Sequence, residues 1–217
     1  LFALGAGVSV DLKAPDGDGW KVLLGGLHAG VCLLAPLLIA VIASRVTEIE
    51  RAGNGWLLFA ASGTTPGQLC RAKFLALGAP LAAVCVLWGL CVPMWGALLG
   101  VPAPVPTGRI VAYTASVCVI SLVILALQLL ISLASDNQLL AVGAGMLGVL
   151  LSMIGAMAPT WAQYLTPWTY YSLVAPMTFT GSDPVYLDAP FPGALVLAIA
   201  GAVAFTVITT RLDRKEV

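Results

Sequence analysis

The chain has 217 residues, of which 60% are hydrophobic and 9% charged, and its mean hydropathy is +1.00. A soluble domain carries about 45–50% apolar and about 25% charged residues, so this composition excludes one. The ten Lys+Arg balance the ten Asp+Glu, which argues against a basic nucleic-acid binder or an acidic tail and leaves a polytopic integral membrane protein of all-α class.

A crossing helix needs about 20 mostly apolar residues, because the hydrocarbon core is about 30 Å thick. Leu1–Val10 is apolar but shorter than that, and reads as the end of a first span whose beginning precedes this sequence. A signal peptide is the alternative, although no basic n-region or small-residue cleavage site is visible. Charge-free gaps then run from Lys21 to Arg45, Lys73 to Arg109, Arg109 to Asp136, Asp136 to Asp183 and Asp188 to Arg211. They place spans at about 22–43, 74–100, 110–134, 139–157 and 193–210. Together with the partial span 1–10 they form a six-helix bundle in one transmembrane domain covering 1–217.

Lys/Arg asymmetry sets the orientation. Seven basic residues lie in segment 44–73 or in the tail after residue 210, against three (Lys13, Lys21 and Arg109) on the opposite side. The expected arrangement puts 44–73 and the C-terminus in the cytoplasm of a cell (inner) membrane protein. Trp20, Trp95, Tyr113 and Trp161 would mark outer ends, and Trp56 the inner side.

The spans contain no Asp, Glu, Lys or Arg. Ion-coupled carriers keep such groups inside the bilayer because a buried charge binds and releases the ion. His28 and Gln128 are the polar candidates for a substrate path, and hydrogen-bonded packing explains either equally. Cys32, Cys70, Cys85, Cys91 and Cys118 show no CxxC spacing and read as small packing residues, so no metal site is expected. There is no GxxxxGK[ST], HExxH or GxSxG, and no span carries paired carboxylates. Neither an enzyme nor a self-powered pump is expected. Gly26/Gly30, Gly96/Gly100 and Gly143/Gly145/Gly148 are small-residue sets that let helices approach closely. Pro36, Pro80 and Pro93 should kink their helices.

Segment 44–73 is the most organised polar stretch. Thr47–Arg51 is charged and helix-compatible, Gly53, Asn54 and Gly55 interrupt it, and Trp56–Ala61 is apolar but too short to cross. Thr65, Pro66 and Gln68 form a capping-box pattern, so a helix should start there and continue through Arg71 and Lys73 into the next span. A docking surface and a solvated loop both fit. Ser135-Asp136-Asn137-Gln138 is the second loop on that side, with Ser135 and Gln138 as a possible cap for the next span. Segment 158–192 holds six of the fourteen prolines and eight aromatics but no Lys or Arg. It should form short helices anchored by an aromatic belt including Trp161, Trp168 and Tyr170.

The run Glu48-Ile-Glu50-Arg51-x-x-Gly-x-Trp56, then Thr64-Thr65-Pro66 and Ala72-Lys73-Phe74, resembles the first cytoplasmic loop of type-2 ABC exporter permeases. It is most similar to the lantibiotic-immunity, antimicrobial-peptide exporter branch. Leu165-Thr-Pro167-Trp168-x-Tyr170 resembles that branch's Pro-Trp-x-Tyr element. The resemblance implies a permease that pairs with a second, identical or related permease and with two cytoplasmic ABC ATPase subunits, which would bind the ATP and Mg; the chain itself would carry no cofactor. Glu48, Glu50 and Arg51 would contact the ATPase, joined by Asp136. Gly53 and Gly55 would permit the turn, and Trp56 would anchor the return. The sequence departs from relatives at Gly63–Gly67, where a basic residue often follows the turn. The implied activity is ATP-driven movement of a hydrophobic or amphipathic molecule, such as an antimicrobial peptide, a drug or a lipid-like compound. A non-transporting membrane scaffold is the alternative.

Overall fold

Five helices long and apolar enough to cross a membrane dominate the computed structural model, which describes residues 18–53, 55, 61–135, 137–180, 183–187 and 191–214. The partial span 1–10, Trp56 and Asp136 lie outside those residues. Helix α1 (Asp18–Ala52) carries Asp18 in its first turn and Arg51 in its last, which complements the helix dipole. Its 35 residues rise about 52 Å, well beyond an apolar core of about 30 Å. The expected span 22–43 is therefore the middle of a longer rod that continues into the polar segment and stops in a turn at Gly53.

Helix α2 (Pro66–Leu99) begins as its sequence foretold. The Thr65 hydroxyl accepts from Gln68 N (3.3 Å) and the Gln68 side chain accepts from Thr65 N (3.2 Å), with Pro66 at the first helical position. The helix ends at Gly100, whose φ of 71° is the left-handed conformation a side chain resists. Helix α3 (Thr107–Ala134) is the most buried of the five and packs against α1, α2 and helix α7 (Phe191–Arg214). Helix α4 (Gln138–Ile154) lies mainly along α1. Its N-cap is Asn137, whose side chain accepts from Leu139 N at 2.9 Å. Ser135, the expected cap, instead accepts from Asn137 N through its hydroxyl.

Between α4 and α7 the chain makes a 3₁₀ turn (Gly155–Met157), two four-residue helices, α5 (Thr160–Gln163) and α6 (Tyr170–Leu173), and an antiparallel hairpin. Its strands β1 (Met177–Thr180) and β2 (Asp183–Tyr186) pair Met177 with Tyr186. Short helices were expected throughout 158–192. The paired strands in its second half form where Thr178, Phe179, Val185 and Tyr186 supply β-formers. The main core collects Ile39, Ile120, Ile124, Leu129 and Tyr171 around α3. A smaller cluster of Trp20, Leu24, Val92 and Ile110 closes the hairpin end.

The prolines sit inside continuous helices. Pro36 has no N–H, so the Cys32 carbonyl one turn earlier loses its helical donor. Ser152 of α4 supplies the missing hydrogen bond, donating to Cys32 O at 2.7 Å. A break in one helix has become a contact between two.

Candidate functional site

The charged end of the bundle gathers most of the residues singled out for coupling. On the last turns of α1, Arg45 and Glu48 form an exposed pair at 3.1 Å. Glu50 reaches α2 and pairs with Lys73 at 2.5 Å. That lysine is 7% exposed, so the pair is largely shielded from water and each charge depends on the other. Arg51 turns toward α3 and donates to the carbonyls of Ser132 (3.2 Å), Leu133 (3.1 Å) and Ser135. Those are the last carbonyls of a helix, which lack internal donors, and a guanidinium fork satisfies several together. Gly53 lies exposed in the turn that follows.

A third cross-tie joins α2 to α7. Asp213 accepts from Arg71 at 2.9 Å and from the Thr65 hydroxyl at 2.5 Å. Gly67 permits this approach, because a Cβ there would overlap the Thr209 carbonyl and the Asp213 carboxylate. The ends of α1, α2, α3 and α7 are thus bound into one unit by Glu50–Lys73, Arg51 and Arg71–Asp213. A polar cavity of about 170 Å³ opens between α1, α3 and α4, lined by Thr47, Glu48, Arg51, Ser132 and Asn137. Of the residues expected to face a partner, Glu48 keeps 43% of its side chain exposed, whereas Glu50 and Arg51 are engaged inside the chain. No spacing in the sequence announces these ties, because each joins residues from distant segments. The signal that could have found them is that Glu50, Arg51, Arg71, Lys73 and Asp213 lie within a turn or two of predicted span ends on one side.

Inside the apolar region, His28 Nδ1 lies 2.9 Å from the Tyr113 hydroxyl and its Nε2 lies 3.4 Å from Cys32 Sγ. Gln128 is fully buried, and neither amide atom has a hydrogen-bond partner among the described residues. Its amide lies beside Gly145 of α4. Ser121 and Tyr171 share a hydrogen bond at 2.8 Å. His28 and Gln128 both lie on the inward faces of the bundle, but the structure does not bring them into one site. Cys32 and Cys70 are buried, and all five cysteines are free. Among the described residues no group of three His, Cys, Asp or Glu could hold a metal ion.

At the opposite end, Trp161 is exposed but Trp168 and Tyr170 are buried. Trp168 sinks onto Gly148, where any side chain would collide with the indole. Of the expected belt residues these two therefore belong to the core. Trp20 and Tyr113 are buried as well. Trp20 donates through Nε1 to Ala103 O at 2.8 Å, and its ring rests on Gly96. Tyr186 of the hairpin takes Lys21 over its ring at 5.4 Å and Arg109 at 4.4 Å, a cation–π arrangement that pins the hairpin to α1 and α3. Burial raises the Tyr186 phenol above its ordinary value, and the two nearby cations oppose that rise.

The class these features define is a helical bundle with five segments able to cross a membrane, cross-tied by ion pairs at one end and by aromatic and cation–π contacts at the other. No family model, curated protein or solved structure matches the chain.

Proposed function

We propose that this chain is the permease subunit of an ATP-driven exporter for a hydrophobic or amphipathic substrate, paired with a second permease and with cytoplasmic ATPase subunits that bind ATP and Mg. The observation that carries the reading is the charged end. There α1 runs past its apolar stretch and is tied by Glu50, Arg51, Arg71 and Asp213 to the ends of α2, α3 and α7. A push on that end moves four helices together, as an external motor requires. The exposed Arg45–Glu48 pair and the turn at Gly53 are the contact surface, while Glu50 and Arg51 transmit the movement inward. The absence of Asp, Glu, Lys and Arg from the apolar spans fits an energy source outside the bilayer.

The test is co-expression with P-loop ATPases of the ABC class, followed by purification and ATPase assay in vesicles. The expected result is co-purification and ATPase activity that rises with the permease present. Glu48→Lys should cut that stimulation by about tenfold, as loss of a charged contact worth about 1.4 kcal/mol does, while leaving the fold intact. A stable complex whose ATPase activity is indifferent to the chain would overturn the reading in favour of a membrane scaffold.

A further inference from the structure

The polar cavity at the charged end, about 170 Å³, has Ser44 of α1, Ser132 of α3 and Ala141 of α4 in its walls. Glu48 and Asn137, which also line it, are in contact with solvent. One helical turn deeper on the same three helices lie Ala40, Gln128 and Gly145. Residues four apart share a helix face, so these three form the next tier. They also meet: a Cβ on Gly145 would overlap Ala40 Cβ and stand 3.7 Å from Gln128 Nε2. Gln128 is fully buried and Ser132 is 4% exposed. The Ser132 hydroxyl and both amide atoms of Gln128 have no hydrogen-bond partner among the described residues. A helical side chain leans toward the N-terminus of its own helix, so Ser132 leans from the cavity wall toward Gln128. Two buried, unpartnered polar side chains thus follow one another inward along α3.

We propose that this cavity is the mouth of a hydrated inlet, in which bound water reaches from the charged end past Ser132 to the Gln128 amide. The chemistry of the groups selects water. A buried amide without partners is strongly unfavourable, and ordered water satisfies such groups where there is room. Gln128 presents two N–H donors and an acceptor, and Ser132 a donor and acceptor sites. Water matches that mixed set, whereas an apolar occupant would leave it unsatisfied. Ser44 and Thr47 donate to the carbonyls of Val41 and Ala43, both at 3.0 Å, which leaves their oxygens as acceptors on the same wall. An ion is disfavoured. The charged residues in the lining, Glu48 and Arg51, have opposite signs; Glu48 pairs with Arg45, and Arg51 holds the last carbonyls of α3. The deeper tier of Ala40, Gln128 and Gly145 is uncharged, so an ion there would lose its hydration without an opposite charge to replace it. Gln128 lies about 10 Å along α3 from Ser135, and the inlet carries water that far into the bundle. It does not depend on any ATPase, so it stands or falls apart from the exporter reading.

The experiment is water-edited solid-state NMR on the full chain in lipid bilayers, with isotope-labelled glutamine side chains. The glutamines are Gln68, Gln128, Gln138 and Gln163, and the signal lost in Gln128→Leu assigns the buried one. Magnetisation passed from water should build up on the Gln128 amide nearly as fast as on exposed Gln68. It should build up about tenfold faster than on the backbone amide of Ile124, equally buried one turn further along α3, because a water bonded to a group transfers directly. Two variants test the route. Ser132→Val replaces the hydroxyl with a methyl at nearly the same size, and Ala141→Leu fills the cavity from α4, so one serves if the other does not fold. Each should slow the build-up at Gln128 toward the Ile124 rate and leave Gln68 unchanged. A Gln128 signal as slow as Ile124 in the parent chain would show a stranded amide and overturn the proposal. A fast signal that neither variant slows would show water arriving by another route and overturn the inlet.

Discussion

Helix α1 has two faces built from similar residues with opposite outcomes. Against α4 it is closed. A methyl on Gly145 would overlap Ala40 Cβ and lie 3.2 Å from the Pro36 carbonyl, and Ser152 donates into the gap that Pro36 opens. Against α2 it is open for most of its length, with Gly26 and Gly30 facing empty space. Small residues permit close approach, but a second feature decides whether it happens. On the α4 side that feature is a polar group with one available partner. On the α2 side the ties seen among the described residues, Trp20 on Gly96 and Glu50 with Lys73, lie toward the two ends.

The largest expected effect breaks one of those end ties. Lys73→Met removes the cation facing Glu50 and strands a shielded carboxylate, which should cost about 3 kcal/mol or more. The check is denaturant unfolding in mixed micelles, and Glu50→Gln added to Lys73→Met should recover much of the loss. An unchanged unfolding midpoint would mean that the pair does not hold α1 to α2. Next comes the closed seam. Gly145→Leu should cost about 2 kcal/mol by overpacking, whereas Gly143→Leu, two residues away with nothing within 4 Å, should be nearly neutral. Thermal unfolding followed by tryptophan fluorescence separates the two. Equal effects would contradict the seam. A smaller loss, about 1 kcal/mol, is expected for Ser152→Ala, which leaves the Cys32 carbonyl without a donor. In a double-mutant cycle Pro36→Ala should erase the hydrogen-bond part of that loss, because an alanine there would return an N–H to the same carbonyl. Strict additivity would show that Ser152 and Pro36 are not coupled.

These comparisons show which parts of the fold were legible. Charge-free gaps located the five helices long and apolar enough to cross a membrane, because exclusion of charge from hydrocarbon is a strong, local constraint. The Thr65–Gln68 box was legible because a helix start is written within four residues. The hairpin was not, since aromatic and Pro-rich composition fits interfacial helices as well as short strands. The burial of Trp168 and Tyr170 was not legible either, because it depends on Gly148 lying opposite in another helix. At the charged end the sequence singled out segment 44–73 for its charges but not which of them tie helices together. Glu48, Glu50 and Arg51 look alike in the sequence. Only the helix phase, which sends Glu50 toward α2 and Arg51 toward α3, separates the exposed residue from the two that tie helices.

The smallest expected effect tests the open face directly. Gly26→Ala and Gly30→Ala add methyls that meet nothing within 4 Å, and alanine is the better helix former by about 0.5–1 kcal/mol in water. Each variant should therefore unfold within about 0.5 kcal/mol of the parent, with the sign toward greater stability. A rigid helix seated on both glycines is not compatible with that result, because its backbone would have to retreat along the whole contact. If either alanine costs as much as Gly145→Leu, then the two faces of α1 are alike after all.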